Sequence, residues 1–190
     1  MNQSGQEATQ QAANSQHEQL LARARNIRLV LLDVDGVLTD GRISYGSGDL
    51  EIKSFHSQDG FGLRLLRDNG MAIGIITGRS SEALRRRAAE LKFAHLYEDA
   101  KDKLVLFEQI LQQDNLQAEQ CAYMGDDWMD LPLLNRCGLA AAPANAVPEV
   151  KERVHFVTAR KGGEGAVREL CDLILEAQGL QQQILAQFDR

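Results

Sequence analysis

Four places in the chain carry side chains that could meet a phosphate and a divalent cation. Asp33 and Asp35 flank Val34 in LVLLDVDGVLTDG (29–41), directly after an apolar run. Thr77, Gly78 and Arg79 follow the apolar MAIGII, Gly125, Asp126 and Asp127 follow CAYM, and Lys103 closes the segment EDAKDK. Carboxylates set one residue apart repel each other unless a cation holds them, and hard oxygen ligands of this kind suit Mg²⁺. A hydroxyl, backbone N–H groups at a helix start and a lysine are what a phosphate needs.

These residues can converge only if their segments end on one rim. Strand-like apolar runs at 29–34, 71–77, 93–97, 121–125, 138–142 and 154–158 alternate with helical periodicity at 59–69, 80–91, 102–113, 128–136, 147–152 and 164–178. That rhythm predicts an α/β fold, a doubly wound, Rossmann-like parallel sheet with helices on both faces. In such a sheet ligands bind outside the carboxyl ends of the strands, where all four groups lie. Gly70 is placed to end one helix, and Ser80 or Ser81 to cap the next. GRISYGSGDLEIKSF (41–55) breaks the rhythm and predicts a β-hairpin inserted after the first strand, turning at Gly46-Ser47-Gly48-Asp49. No internal repeat and no linker divides residues 21–178. The predicted organisation is a disordered leader (1–18), one domain (19–179) and a flexible tail (180–190).

Composition narrows the partners. A formal net charge of −6 argues against a general nucleic-acid or membrane-surface binder. An anionic small molecule remains compatible where a metal or local basic residues receive it. The three cysteines, Cys121, Cys137 and Cys171, show no CxxC spacing and read as reduced structural thiols, which points to the cytoplasm. The N-terminal stretch lacks a signal-peptide pattern, and no apolar run reaches membrane-spanning length.

The order DxDG, TGR after a strand, Lys, then GDDxxD resembles the haloacid dehalogenase superfamily of phosphohydrolases across nearly all of residues 27–178. The short segment between the first motif and the next helix implies the subclass without a cap domain. DVDGVLTDG, FHSQDGFG, ITGRSS, MGDDWMDLPLL and GGEGAVREL, in that order, further resemble the members acting on an eight-carbon sugar-acid phosphate in lipopolysaccharide precursor synthesis. The resemblance implies that Asp33 is the nucleophile that becomes an aspartyl-phosphate, and that Asp35 protonates the leaving oxygen and later activates water. It implies Mg²⁺ held by Asp33, Asp126 and the backbone carbonyl of Asp35, with Thr77 and Lys103 on the phosphoryl oxygens. Lys103 rather than Lys101 matches the family position. Asp127 and Asp130 are expected to orient the metal's surroundings.

The sugar acid is expected to be read by His56, Ser57, Gln58, Asp59, Gly60, Arg64, Gly78, Arg79 and Arg87, together with Asp35 and Lys103. Ser57 or Asp59 could equally cap a helix, and a run of three arginines is ordinarily a solvated face. Arg79 is the candidate for the sugar carboxylate, which a guanidinium grips with two hydrogen bonds. The resemblance further implies a homotetramer whose hairpins associate and whose neighbours help close each site. Here Ile43, Tyr45, Leu50, Ile52 and Phe55 need cover, and Gly162, Gly163 and Gly165 permit close approach to a ligand, to another subunit's site or simply around a turn. The alternatives are a phosphatase for the nine-carbon analogue, a phospho-acceptor receiver domain, and a silent subunit stabilising a partner enzyme. The receiver domain would leave GDDWMD without a counterpart, and the intact acidic set argues against the silent subunit.

Overall fold

The structure is a computed structural model describing residues 3–48 and 51–189. Its elements run α1 (Gln3–Arg25), β1 (Leu29–Leu32), β2 (Ser44–Tyr45), β3 (Glu51–Ile52), α2 (Ser57–Asp68), β4 (Ala72–Ile76), α3 (Glu82–Leu91), β5 (His95–Tyr97) and α4 (Lys103–Asp114). They continue with β6 (Cys121–Met124), α5 (Leu131–Leu134), β7 (Leu139–Ala142), α6 (Pro148–Lys151), β8 (Phe156–Val157), α7 (Ala166–Ala177) and α8 (Gln181–Leu185). Each predicted strand and helix of the domain is present, most of them a residue or two shorter than its pattern. The stretch expected as a helix over 128–136 splits into a tight turn at Trp128–Asp130 and α5.

The main sheet is parallel, in the order β5-β4-β1-β6-β7-β8. The chain leaves β1 toward one edge, crosses back, and finishes at the other edge, so the switch in direction flanks β1. Alternation along β1 supplies both layers, since side chains on a strand point to opposite faces in turn. Val30 and Leu32 pack with Leu63, Leu66 and Leu170 on the α2 and α7 side, and Leu29 and Leu31 with Phe107, Ile110 and Val150 on the α4 and α6 side. Fully burying each such side chain contributes about 1.5–3 kcal/mol, so the sheet centre is the most firmly held part of the molecule. Backbone bonds extend the ladder beyond the strands: Asp33 N donates to Met124 O (3.0 Å), Thr77 N to Tyr97 O (2.9 Å) and Gly125 N to Ala141 O (3.2 Å). The residues after β1, β4 and β6 therefore share one rim.

Both ends of the chain differ from expectation. In place of a disordered leader, α1 is continuous from Gln3, in keeping with its Gln, Ala and Glu content. Residues 14–19 are exposed, and the last turns anchor the helix through Leu20 and Leu21 packed on the core, buried Ala24 and the bond from Arg25 Nε to Ala177 O (3.1 Å). In place of a flexible tail, α8 buries Ile184, and Phe188 meets the Phe61 ring edge-on at 5.8 Å. An apolar residue every few positions in QQQILAQF is enough to dock a short helix. Among the described residues no helix is long and apolar enough to cross a membrane.

The hairpin stands apart as its own two-stranded sheet. Ile43, Tyr45 and Ile52 are 46 %, 72 % and 52 % exposed, so the parent domain does not cover them, whereas Phe55 packs on the core. Asp49 of the expected turn and Leu50 lie outside the described residues.

Candidate active site

At the rim, Lys103 is almost completely buried, and its ammonium donates to Asp33 Oδ1 at 2.8 Å and Asp130 Oδ1 at 2.7 Å. Lys103 opens α4, whose preceding residue Asp102 caps the helix by accepting from Leu104 N and Val105 N. The cap fixes where the lysine leaves the helix. Asp130 is the hub: Oδ1 also accepts from the Tyr123 hydroxyl (2.6 Å), and Oδ2 from Asp126 N (2.9 Å) and Asp127 N (3.2 Å). Every acceptor direction of this buried carboxylate is engaged, as an ion in a low-dielectric site requires.

The surrounding acids are not so compensated. Burial pushes the Asp33 carboxyl up to about 6, against the opposing pull of Lys103. Burial, with Asp33, Asp130 and Asp127 adding repulsion, pushes Asp126 up to about 7. For Lys103, burial opposes the charge, but Asp33 and Asp130 outweigh it and hold the amine above its ordinary value. Carboxylate oxygens of Asp33, Asp126 and Asp130 lie within 4.8 Å of one another. An all-oxygen donor set with uncompensated negative charge fits a hard divalent cation. Because Asp130 is already saturated, Asp33 and Asp126 have the oxygens to offer. Around them opens a cavity of about 380 Å³, lined among others by Asp35, Thr77, Gly78 and Arg79.

The loop after β1 is shaped by glycines and by an asparagine. Gly36 has φ +90°, and a Cβ there would overlap the Asp126 carboxylate. Asn145 clamps the loop from outside, its Nδ2 donating to Gly36 O (2.9 Å) and its Oδ1 accepting from Gly162 N (2.7 Å). Gly163 N donates to Val37 O at 3.1 Å. The glycine-rich segment packs on the backbone of residues 36–40 of its own chain.

Asp35 turns away from the acidic cluster toward the hairpin. Its Oδ1 pairs with Lys53 Nζ, and its Oδ2 lies 3.6 Å from Arg79 Nε. Glu51 completes a ring, with Oε1 3.1 Å from Lys53 Nζ and Oε2 accepting from Arg79 Nη2 at 3.0 Å. Burial raises the Glu51 carboxyl, but the Lys53 and Arg79 cations beside it hold it below its ordinary value.

Of the residues expected at the site, Asp33, Asp35, Thr77, Gly78, Arg79, Lys103 and Asp126 line this one cavity. The remaining seven do not line it within the chain. His56 precedes α2 as its cap residue without a side-chain cap bond, and Ser57 and Arg87 border a neighbouring groove with Lys53. Gln58 Oε1 accepts from Arg160 Nη1 (2.8 Å), and Gly60 lies beneath Arg87. Asp59 points inward and accepts from Arg168 N at 2.8 Å, tying α2 to α7, while Arg64 covers the Phe61 ring at 5.0 Å. Sequence reasoning passed over Lys53, Glu51, Tyr123 and Asn145. Tyr123 carried a signal, a phenol in an otherwise apolar strand, which must find a partner when buried. The other three carried none, since only the folded loops bring them to the rim.

A family model described as haloacid dehalogenase-like hydrolase matches residues 92–170. The chain is 46 % identical over 161 residues to the 3-deoxy-D-manno-octulosonate 8-phosphate phosphatase of Yersinia pestis, covering 85 % of this chain and 86 % of that one. It is 44 % identical over 160 residues to the Escherichia coli K12 protein of the same name, covering 84 % and 85 %. The crystal structure of the Moraxella catarrhalis phosphatase in complex with magnesium ion, phosphate ion and KDO superposes with a TM-score of 0.88 at 38 % identity, covering 90 % of this chain and 98 % of that one.

Proposed function

The chain belongs to the haloacid dehalogenase-like hydrolases, and within that family we propose that it is the Mg²⁺-dependent phosphatase of 3-deoxy-D-manno-octulosonate 8-phosphate. The observation that carries the site assignment is the Lys103 ammonium held between Asp33 and Asp130 at the carboxyl ends of β1 and β6.

In this reading an Asp33 oxygen attacks the phosphorus, and the bond from phosphorus to the sugar oxygen breaks as an aspartyl-phosphate forms. Asp35 gives its proton to the departing sugar oxygen. It then takes a proton from water, whose oxygen attacks the phosphorus and returns Asp33 as a carboxylate with release of inorganic phosphate. Lys103 and Thr77 hold the phosphoryl oxygens, where positioning and fixed charge supply most of the rate. A Mg²⁺ ion held by Asp33, Asp126 and the Asp35 carbonyl would neutralise the charge that gathers on the phosphoryl group. Arg79 takes the sugar carboxylate.

The proposal extends to assembly and place. The exposed Ile43, Tyr45 and Ile52 of the hairpin favour a homotetramer joined through these hairpins, each site completed by a neighbour in the manner of a lid. His56, Ser57, Gln58, Gly60, Arg64 and Arg87 would then serve a site formed between chains. The three cysteines are free and buried, which supports a cytoplasmic enzyme. The test is phosphate release from a panel of sugar-acid phosphates with and without Mg²⁺. Turnover is expected to be highest on the eight-carbon substrate and to vanish with chelator. A preference for the nine-carbon analogue would replace the substrate and keep the chemistry, and metal-independent turnover would overturn the mechanism.

A further inference from the structure

The ring of Asp35, Lys53, Glu51 and Arg79 contains two acids and two bases, yet it is poorly satisfied for so closed a cluster. Lys53 has a side chain only 3 % exposed, and Glu51 one 19 % exposed. Glu51 divides its two oxygens between two cations, but Oε1 lacks a hydrogen bond of good geometry, and Arg79 Nε is a buried donor with no acceptor in hydrogen-bonding position. Arg79 lines the phosphate cavity, while Glu51 and Lys53 border the two grooves that adjoin it. The cluster is thus where a substrate reaching outward from the phosphate would place its far end.

Geometry then restricts what can bind. Glu51 already bridges the two cations, with Oε1 3.1 Å from Lys53 Nζ and Oε2 accepting from Arg79 Nη2 at 3.0 Å, so a second carboxylate reaches both donors only by taking its place. We infer that Lys53 and Arg79 together form the receptor for the substrate's carboxylate, and that Glu51 holds that carboxylate's place and swings aside when a sugar-acid phosphate binds. Lys53 is then a specificity-determining residue contributed by the hairpin, and Glu51 a built-in competitor that a phosphate ester without a carboxylate has no means to displace. Arg79 Nε, unpaired with Glu51 in place, gains its acceptor when a carboxylate approaches Arg79 side-on, because the planar fork then presents two parallel donors.

The inference rests on the sugar-acid phosphatase reading, and the experiment separates the two. Unmodified enzyme with Mg²⁺ is first assayed on 3-deoxy-D-manno-octulosonate 8-phosphate and on para-nitrophenyl phosphate; turnover of the aryl ester alone would overturn the substrate reading before any variant is tested. Given turnover of both, Lys53→Met is expected to lower kcat/KM for the sugar-acid phosphate about tenfold more than for the aryl ester, the value of one charged hydrogen bond. Lys53→Arg is expected to recover most of that difference. Glu51→Gln is expected to lower KM for the sugar-acid phosphate severalfold, because an amide competes weakly for two cations. Equal losses on both substrates for Lys53→Met would assign Lys53 to Asp35 alone. A Glu51→Gln KM that rises or stays fixed would show that Glu51 braces the cation pair instead of occupying its site, and either result overturns the inference.

Discussion

The two charged clusters at the rim are built on opposite plans. Around Lys103, the partners come from β6, the end of β1 and the tight turn at Trp128–Asp130, the ammonium and the Asp130 carboxylate are buried, and the polar atoms of Asp130 are all paired. Around Arg79, most partners come from a hairpin outside the main sheet, the side chain is 39 % exposed, and donors and acceptors are left over. The first plan suits a step whose geometry is the same for every phosphate ester. The second suits recognition, where a carboxylate must be exchanged and a poorly satisfied site lowers the cost of exchange. On the proposed mechanism, chemistry is held by the core and selectivity by an insertion.

The difference can be broken at its strongest point first. Asp33→Asn removes the proposed nucleophile while keeping the shape, and turnover on any phosphate ester is expected to fall by about 10⁴-fold or more. Trapping of phosphate on the chain, followed by mass spectrometry, should fail in parallel. Substantial residual turnover on either substrate would remove Asp33 from its role.

Asp130 touches no substrate in the proposed mechanism, yet its loss should be felt more widely. Asp130→Asn leaves the buried Lys103 with Asp33 as its charged partner and presents an amide donor to groups that are themselves donors. The expected cost is about 3 kcal/mol of stability, with turnover lowered on sugar-acid and aryl substrates alike by roughly a hundredfold. Equal loss on both is the signature of the core plan. A loss confined to the sugar acid would merge the two clusters into one.

Much of this was legible in the sequence, for identifiable reasons. Asp33, Thr77 and Asp126 each follow an apolar run, so the rim position of each could be inferred from strand ends alone, and the parallel order then brought them together. Asp130 was assigned an orienting role, and its bonds to Asp126 N and Asp127 N give that role a geometry. Lys53 was illegible because it sits in a hairpin whose twist and tilt against the rim are not encoded in a local pattern. The stretch from His56 to Gly60 was read as facing the rim, whereas Asp59 turns into the α2 and α7 interface, since helix phase within a loop-to-helix junction is decided by packing.

A smaller effect follows from the acids around the cation site. The Asp33 and Asp126 carboxyls sit at about 6 and about 7, above their unfolded values. Without a cation the folded chain holds these protons more tightly than the unfolded chain does. The stability they contribute is therefore present at low pH and lost as pH rises through the folded values, up to about pH 7. A divalent cation binds only the ionised pair, so the sign reverses in its presence. The rise in Tm produced by Mg²⁺ is expected to grow between about pH 5.5 and pH 8, and Mg²⁺ affinity to weaken by up to about tenfold per pH unit as Asp126 protonates. Thermal melts and metal titrations across that range check it. A pH-independent Mg²⁺ effect would place the cation away from these two acids.

The smallest effect concerns the loop that carries Asp35. Gly163 has φ +68°, and a Cβ there would lie 2.6 Å from Asp40 N and 2.7 Å from the Thr39 carbonyl carbon, backbone atoms that cannot turn aside. Gly70 has φ +89° with nothing within 4 Å of the same position. Both changes to alanine incur the left-handed backbone cost of about 1 kcal/mol, but only Gly163→Ala adds a clash against the segment after β1. Gly163→Ala is therefore expected to lower Tm by several degrees more than Gly70→Ala, with turnover per folded molecule reduced about threefold on both substrates as the Asp35 loop shifts. Because the contact lies within one chain, mixing this variant with an excess of Asp33→Asn subunits should not restore the lost turnover even when subunits exchange. Restoration would show that the glycine-rich segment serves a neighbouring site, and the division between a core-held reaction and a hairpin-held selectivity would then need a third contributor from another chain.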